Sequence, residues 1–228
     1  MGEPVGFESR DQVLEALARK RDLTGADLSG LDLSGVRFVA VAMTGANLRG
    51  ADLRGCLLSG IEATGADLSA AQLAGARILA TNLAGAVLRG SRLQGASIKD
   101  TNLWQADLSN ADLRGSWIRD THLANSTLQG ANLAAARIVR SSLREANLAA
   151  ADLTDSNLMR VDVAGADLTG ATLSGARAGR VDWPAARVPP AELPGSLPAP
   201  PPWLPILLAG IGVVLLVAAL KRKAHRPS

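Results

Sequence analysis

Twenty-one carboxylates run along this 228-residue chain, and their spacing argues against catalysis. Asp27, Asp32, Asp52, Asp107, Asp112, Asp152 and Asp167 are the candidates for a general acid and base, a pairing that needs two groups converging on one point with separated ionisation. All of them fall at one position of a five-residue unit, so a backbone demand for a short polar side chain explains them. The two histidines are isolated: His122 lies in THLAN and His225 in a basic tail, and neither has a Cys or His neighbour at ligand spacing. Cys56, the only cysteine, takes a place held mostly by Ala; it reads as a buried filler and allows no disulfide within the chain. The glycines follow the same period and suit corner turns, not a phosphate-cradling loop. No enzyme activity, metal or cofactor is expected.

What positions these residues is one repeat. From Leu23 to Ala178 an apolar residue recurs at every fifth position, thirty-two times, and twenty-three of these are Leu. Two residues earlier stands a small residue: of thirty-one such positions from Ala26 to Ala176, seventeen are Ala and nine are Ser, Thr or Cys. Asp or Asn usually lies between them, and Gly closes seventeen units. A helix turns about 100° per residue, so a spacing of five would scatter the Leu side chains around its circumference. Strand geometry instead points the small residue and the Leu to one side and the Asp or Asn to the other, leaving the remaining residues to turn a corner. A unit this short buries nothing alone, so successive coils must stack and supply each other's core.

The units ADLSG, ANLRG, ADLRG, TNLAG, ANLAA and ADLTG resemble the A-(D/N)-L-x-x unit of the pentapeptide-repeat family over residues 21–180. That resemblance implies an all-β solenoid, a right-handed quadrilateral β-helix with four units to a coil, here about eight coils and about 38 Å long. Ile78, Ile98, Ile118 and Ile138 replace the central Leu at intervals of twenty, as such a coil requires. In IEATG a large Ile61 precedes a small central Ala63, which keeps interior volume. A filled four-sided rod offers no pocket. The family's best-known role is protection of DNA gyrase by an acidic rod that mimics duplex DNA. Residues 21–180 carry sixteen Lys and Arg against fifteen Asp and Glu, so mimicry is kept only as an alternative.

Sorting outward residues by the twenty-residue period gathers Arg37, Leu57, Arg77, Ser97, Trp117, Arg137, Asn157 and Arg177 in one column that lacks the usual Asp. Val39, Leu79, Lys99, Arg119, Val139 and Met159 run beside it, then Asp100, Asp120, Arg140, Arg160 and Arg180. This basic and apolar face is the candidate interaction surface, with Arg37, Arg77, Trp117, Arg119, Arg137, Arg140, Arg160 and Arg177 meeting an unknown protein partner of acidic character or anionic lipid. The alternative is a set of solvated arginines, with Trp117 stacked on Arg137. Nucleic-acid binding is not expected, because much of the isoelectric point of about 9.6 comes from the tail. A homo-oligomer is compatible with the same face.

Residues 1–20 are predicted to cap the solenoid with a helix over 8–20, begun by Ser9 and Gln12 as a capping box and buried along Val13, Leu14, Leu17 and Ala18. The solenoid is placed at 21–182, with Val181, Trp183 and Pro184 over its last coil, and a Pro-rich spacer at 183–202. WLPILLAGIGVVLLVAAL, residues 203–220, carries no charge in eighteen positions. At ~1.5 Å per residue it spans about 27 Å, which predicts a C-terminal transmembrane helix in contact with membrane lipid. Trp203 marks one interface; Lys221, Arg222 and Lys223, in a basic tail over 221–228, mark the other. MGEPVGFESRDQ has neither the basic nor the apolar region of a signal, which favours a cytosolic solenoid, although the basic tail argues the reverse. In the reverse arrangement the scaffold is exported and sorted to the surface, but LPGSL and LPAPP depart from the LPxTG pattern. The functional expectation is a non-enzymatic, membrane-anchored scaffold presenting a rigid β-helix face for protein interaction.

Overall fold

The computed structural model describes residues 6–19, 22–191 and 193–196. The end of the spacer, the predicted membrane segment 203–220 and the basic tail 221–228 lie outside the described residues.

Each five-residue unit folds for local reasons. At three corners of each coil the central residue's carbonyl accepts from the N–H three positions on, as Ala51 N–H to Leu48 O at 3.1 Å, closing a tight turn. The last residue of all thirty-two units, Gly25 to Arg180, has a positive φ of 48° to 71°. Seventeen are Gly, for which this region is open; the fifteen others bear a cost on the order of 1 kcal/mol each. The Asp or Asn of the unit secures the turn from outside. Its Oδ1 accepts from the N–H two residues on, from Ser29 at Asp27 (3.0 Å), from Ala134 at Asn132 (3.0 Å) and from Thr154 at Asp152 (2.9 Å). The recurrent carboxylates are therefore turn-locking groups, and the hydrogen bonds from Ser29 hold the Asp27 carboxyl below its ordinary value.

Coils stack in parallel at intervals of twenty. Three columns run through single bridges, from Asp22 to Asp162, Asp27 to Asp167 and Asp32 to Thr172. The fourth is a nine-stranded parallel sheet paired in chain order, beginning with β1 (Arg37–Val39), β2 (Leu57–Ser59), β3 (Arg77–Leu79) and β4 (Ser97–Lys99). It continues through β5 (Trp117–Arg119), β6 (Arg137–Val139), β7 (Asn157–Met159), β8 (Arg177–Gly179) and β9 (Gly195–Ser196). Each column holds eight rungs from the repeats, or seven steps of twenty residues from first to last. Leu28, Leu53, Leu93 and Leu113 fill the interior with Ala51, Ala76 and Ala111, all fully buried. The Ile ladder forms, Ile78 opposite Ile98 and Ile98 opposite Ile118. Ile61 and Ala63 are both buried, and the void beside them, about 10 Å³, is no larger than one water needs.

The corner after each sheet strand differs: no turn bond closes it among the described residues. Carbonyls freed there face a buried hydroxyl of the next coil, whose single proton lies nearer the carbonyl two residues before it: Thr81 Oγ1 is 3.0 Å from Leu79 O, Thr101 Oγ1 3.0 Å from Lys99 O and Thr121 Oγ1 3.0 Å from Arg119 O. Thr81 Oγ1 lies 3.2 Å from Leu58 O, Thr101 Oγ1 3.4 Å from Ile78 O and Thr121 Oγ1 3.5 Å from Ile98 O. These threonines, followed by Ser141, recur at twenty-residue intervals in a column that is otherwise Val41, Ile61 and Val161.

α1 (Arg10–Arg19) packs on the first coil, shorter than expected. Ser9 Oγ accepts from Gln12 N–H at 3.4 Å, while Gln12 Oε1 accepts from Glu8 N–H at 2.8 Å, one residue before the donor a capping box would use. Val13 is fully buried with Ala16 and Leu17 beside it, but Leu14 and Ala18 are exposed, so the buried stripe lies one step round from the expected one. Gly6 pairs with Asp27 and gives the first coil an added edge partner.

At the other end the solenoid runs past residue 182. A 3-10 turn, Trp183–Ala185, buries Trp183 in the core; Val188 pairs with Asp167, and β9 pairs with β8. The offsets become twenty-one, Asp167 to Val188, and eighteen, Arg177 to Gly195. The first part of the predicted spacer is thus an irregular terminal rung. Proline cannot donate to a ladder and suits such an edge.

Candidate functional site

The ladder sets Arg77 opposite Ser97 and Trp117 opposite Arg137 on the outward side of the sheet. Trp117 is 51 % exposed and Val39 39 %. A cleft of about 80 Å³ beside Trp117 is lined by Ser97, Lys99 and Arg119, on the β4 side of the ring and away from Arg137.

Asp120 changes the status of two expected site residues. Arg140, one coil further on, grips it with two bonds, Nε to Oδ1 and Nη2 to Oδ2, both 2.6 Å. Arg119 Nε reaches the same carboxylate at 3.1 Å, and Lys99 pairs with Asp100 at 3.1 Å. Arg140 above all, with Arg119, pulls the Asp120 carboxyl from 3.8 down to about 2. Its folded value lies below its unfolded one, so this stabilisation is complete above the unfolded value and is lost as pH falls through the folded one. Asp120→Asn is expected to flatten the fall in melting temperature between about pH 4 and about pH 2; a series parallel to wild type would show the pair to be inert.

Arg37, Arg77, Arg137, Arg160, Arg177 and Arg180 have no ion pair among the described residues. On the remaining faces Arg54, Arg89, Arg114, Arg144 and Arg187 each bridge an Asp at 2.5 to 3.2 Å. Asp52 and Asp112 are held below their ordinary values chiefly by Arg54 and Arg114, so the acid-rich columns are partly neutralised from within. Between Asp22 and Arg180 the sheet face and its corner carry nine cations against two anions, and the other three faces six against thirteen. A rod that is nearly neutral along its length is therefore strongly polarised across its width.

No cluster of His, Cys, Asp and Glu able to hold a metal occurs among the described residues. His122 sits in a bridge column between Asn102 and Ser142. Burial pushes the Cys56 thiol up to about 11, with Sγ 2.9 Å from Leu33 O, so no thiolate nucleophile forms near neutrality. Against the expectation of a pocket-free rod, a cavity of about 530 Å³ lies between α1 and the first coil, lined by Phe7, Gln12, Glu15, Arg19 and Leu23. A helix laid across a square coil end leaves that space, and its Glu15 and Arg19 pair with each other at 2.5 Å.

The family model for pentapeptide repeats matches in eight copies, over residues 22–60, 66–105, 106–144 and 136–175. The chain belongs to the pentapeptide-repeat family. No curated protein sequence matches it. HetL from the cyanobacterium Nostoc sp. strain PCC 7120, a pentapeptide-repeat protein involved in heterocyst differentiation regulation, is 27 % identical over 82 % of this chain and 100 % of its own, with a TM-score of 0.47. A trypsin-treated variant of QnrB1, a plasmid-mediated fluoroquinolone resistance protein, is 24 % identical over 68 % of this chain and 79 % of its own; its TM-score of 0.56 reflects the shared solenoid. A pentapeptide-repeat protein of the Arabidopsis thaliana thylakoid lumen is 33 % identical over 42 % of this chain and 72 % of its own, with a TM-score of 0.35. Pentapeptide-repeat proteins are generally structural or interaction proteins, not enzymes.

Proposed function

We propose that this pentapeptide-repeat protein is a non-enzymatic scaffold whose β1–β8 face docks an anionic partner, held at a membrane by residues 203–220 with the right-handed solenoid on the cytosolic side. The observation that carries this reading is the set of six arginines on one face without ion pairs among the described residues, while most of the described arginines elsewhere are bridged. Like charges held in a rigid ladder repel, and an acidic counterpart relieves them. No helix among the described residues is long and apolar enough to cross a membrane, so the anchor rests on the eighteen uncharged positions of 203–220 and their Trp203 and Lys221 flanks.

Fractionation of cells making the full chain and a chain stopped after Leu197 tests the reading, with protease added to intact and lysed spheroplasts. After a high-salt wash that screens surface electrostatics, only the full chain is expected to stay in membranes, with its solenoid cut after lysis alone. Cleavage in intact spheroplasts would favour the exported arrangement. If both forms are soluble, the anchor is wrong; gyrase inhibition by the shorter form would then favour mimicry.

A further inference from the structure

The unpaired arginines crowd one end of the face. Arg137, Arg160, Arg177 and Arg180 stand on β6, β7, β8 and the corners that follow, where Arg140 alone is bridged. Arg140, Arg160 and Arg180 also adopt φ of 49°, 53° and 58° in successive coils, a conformation that the other corners mostly give to Gly. Neither the backbone strain nor the stacked charge helps the solenoid to fold, and both coincide here.

This is also the end from which the chain departs. β9 lies beside β8 in the same sheet, and residues 197–202 are all that separate it from Trp203. From Ser196 to Trp203 are seven residue steps, which fully extended reach about 25 Å. A bilayer that holds 203–220 therefore has its surface within that distance of β9.

We propose that the β6–β8 end of this face docks on the phosphate-bearing headgroups of an anionic phospholipid surface, with Arg137, Arg160, Arg177 and Arg180 as the binding groups. The inference rests on the membrane-anchor reading above. Guanidinium forks match phosphodiester oxygens in pairs. Half-buried Met159, between the two arginine columns, offers an apolar contact at the headgroup boundary. The acid-rich faces then point away from the negative surface, so the transverse polarity of the rod orients it.

The full chain in vesicles of phosphatidylcholine, with and without phosphatidylserine, provides the test. Cys56 is buried and unreactive, so a fluorophore attaches selectively at Met159→Cys beside the arginines, or at Gln129→Cys on the opposite side of the rod. With a headgroup-linked quencher, the label at 159 is expected to be quenched about threefold more strongly when phosphatidylserine is present, and the label at 129 equally in both. Arg160→Gly with Arg180→Gly removes two charges while relieving the positive-φ strain, so the fold persists and the phosphatidylserine dependence should disappear. Equal quenching at 159 in both vesicles, or a dependence that survives the glycine variant, overturns the headgroup site alone. A chain that floats with neither vesicle overturns the anchor and the site together. Self-quenching that rises with protein density regardless of lipid places a second copy on this face and likewise overturns the proposal.

Discussion

Leu113→Asp is expected to cut the cooperative unit of the solenoid in two. Leu113 is fully buried between Leu93 and Leu133, its counterparts one coil away on either side, and its N–H donates to Asn132 O at 2.7 Å. Losing the Leu side chain forfeits roughly 1.5 to 3 kcal/mol of burial, and enclosing a carboxyl with no partner adds a few more. A loss of at least about 4 kcal/mol follows, among the largest single-substitution effects known. In a quasi-one-dimensional repeat array each rung touches only its neighbours, so the damage stays local and uncouples the two halves. Calorimetry should resolve two transitions, and amide exchange should rise first around β5 and β6. An unchanged melting curve would mean that the fifth-position Leu does not face the core.

Trp183→Ala carries the second large effect, by a different route. Trp183 is 8 % exposed at the mouth of the last coil, in the turn whose Ala185 carbonyl accepts from Gly165 N–H at 2.8 Å. Truncation should cost about 3 kcal/mol and loosen Val188 from its bridge with Asp167. That frees N–H and C=O groups of the last coil for pairing with another chain. A lower melting temperature together with concentration-dependent association in light scattering is expected. A variant that melts earlier yet stays monodisperse would show that β9, not Trp183, protects the edge.

Much of this architecture is readable from the sequence because the repeat is its own internal control. Leu and Ala at fixed offsets define inward positions, and the Ile substitutions every twenty residues disclose the coil length before any coordinates do. The outward Asp was readable as a positional demand, while its Asx geometry needed the backbone. Pairing of Arg140 with Asp120 joins positions one coil apart, so the period of twenty implies it, although the arginine column by itself does not show which member has a carboxylate in reach. The threonine column, Thr81, Thr101 and Thr121, was likewise present at period twenty, yet its role needs the backbone: each hydroxyl closes on the carbonyl two residues earlier, beside the corner that lacks a turn bond. The C-terminal rung was readable only in part: Val181 and Trp183 do cover the last coil, as their position after the final unit suggests, but the strand pairing beyond them was not legible. Its offsets of twenty-one and eighteen break the period, and its prolines have the composition of a spacer even where they lie beside a paired edge.

A coil read modulo twenty, from units of five, has an unusual genetic consequence. Inserting or deleting one unit leaves every Leu pointing inward, yet it carries all downstream side chains a quarter of the way round the rod and hands the corner that lacks a turn bond to a different unit of each coil. One such event upstream of Arg137 would move that arginine and those after it onto a neighbouring side and split the basic face, with little harm to the core. Four events in the same direction would restore it, one coil longer or shorter. Stability and surface pattern in this chain are thus written in two different frames, and a lineage can lose the second while keeping the first.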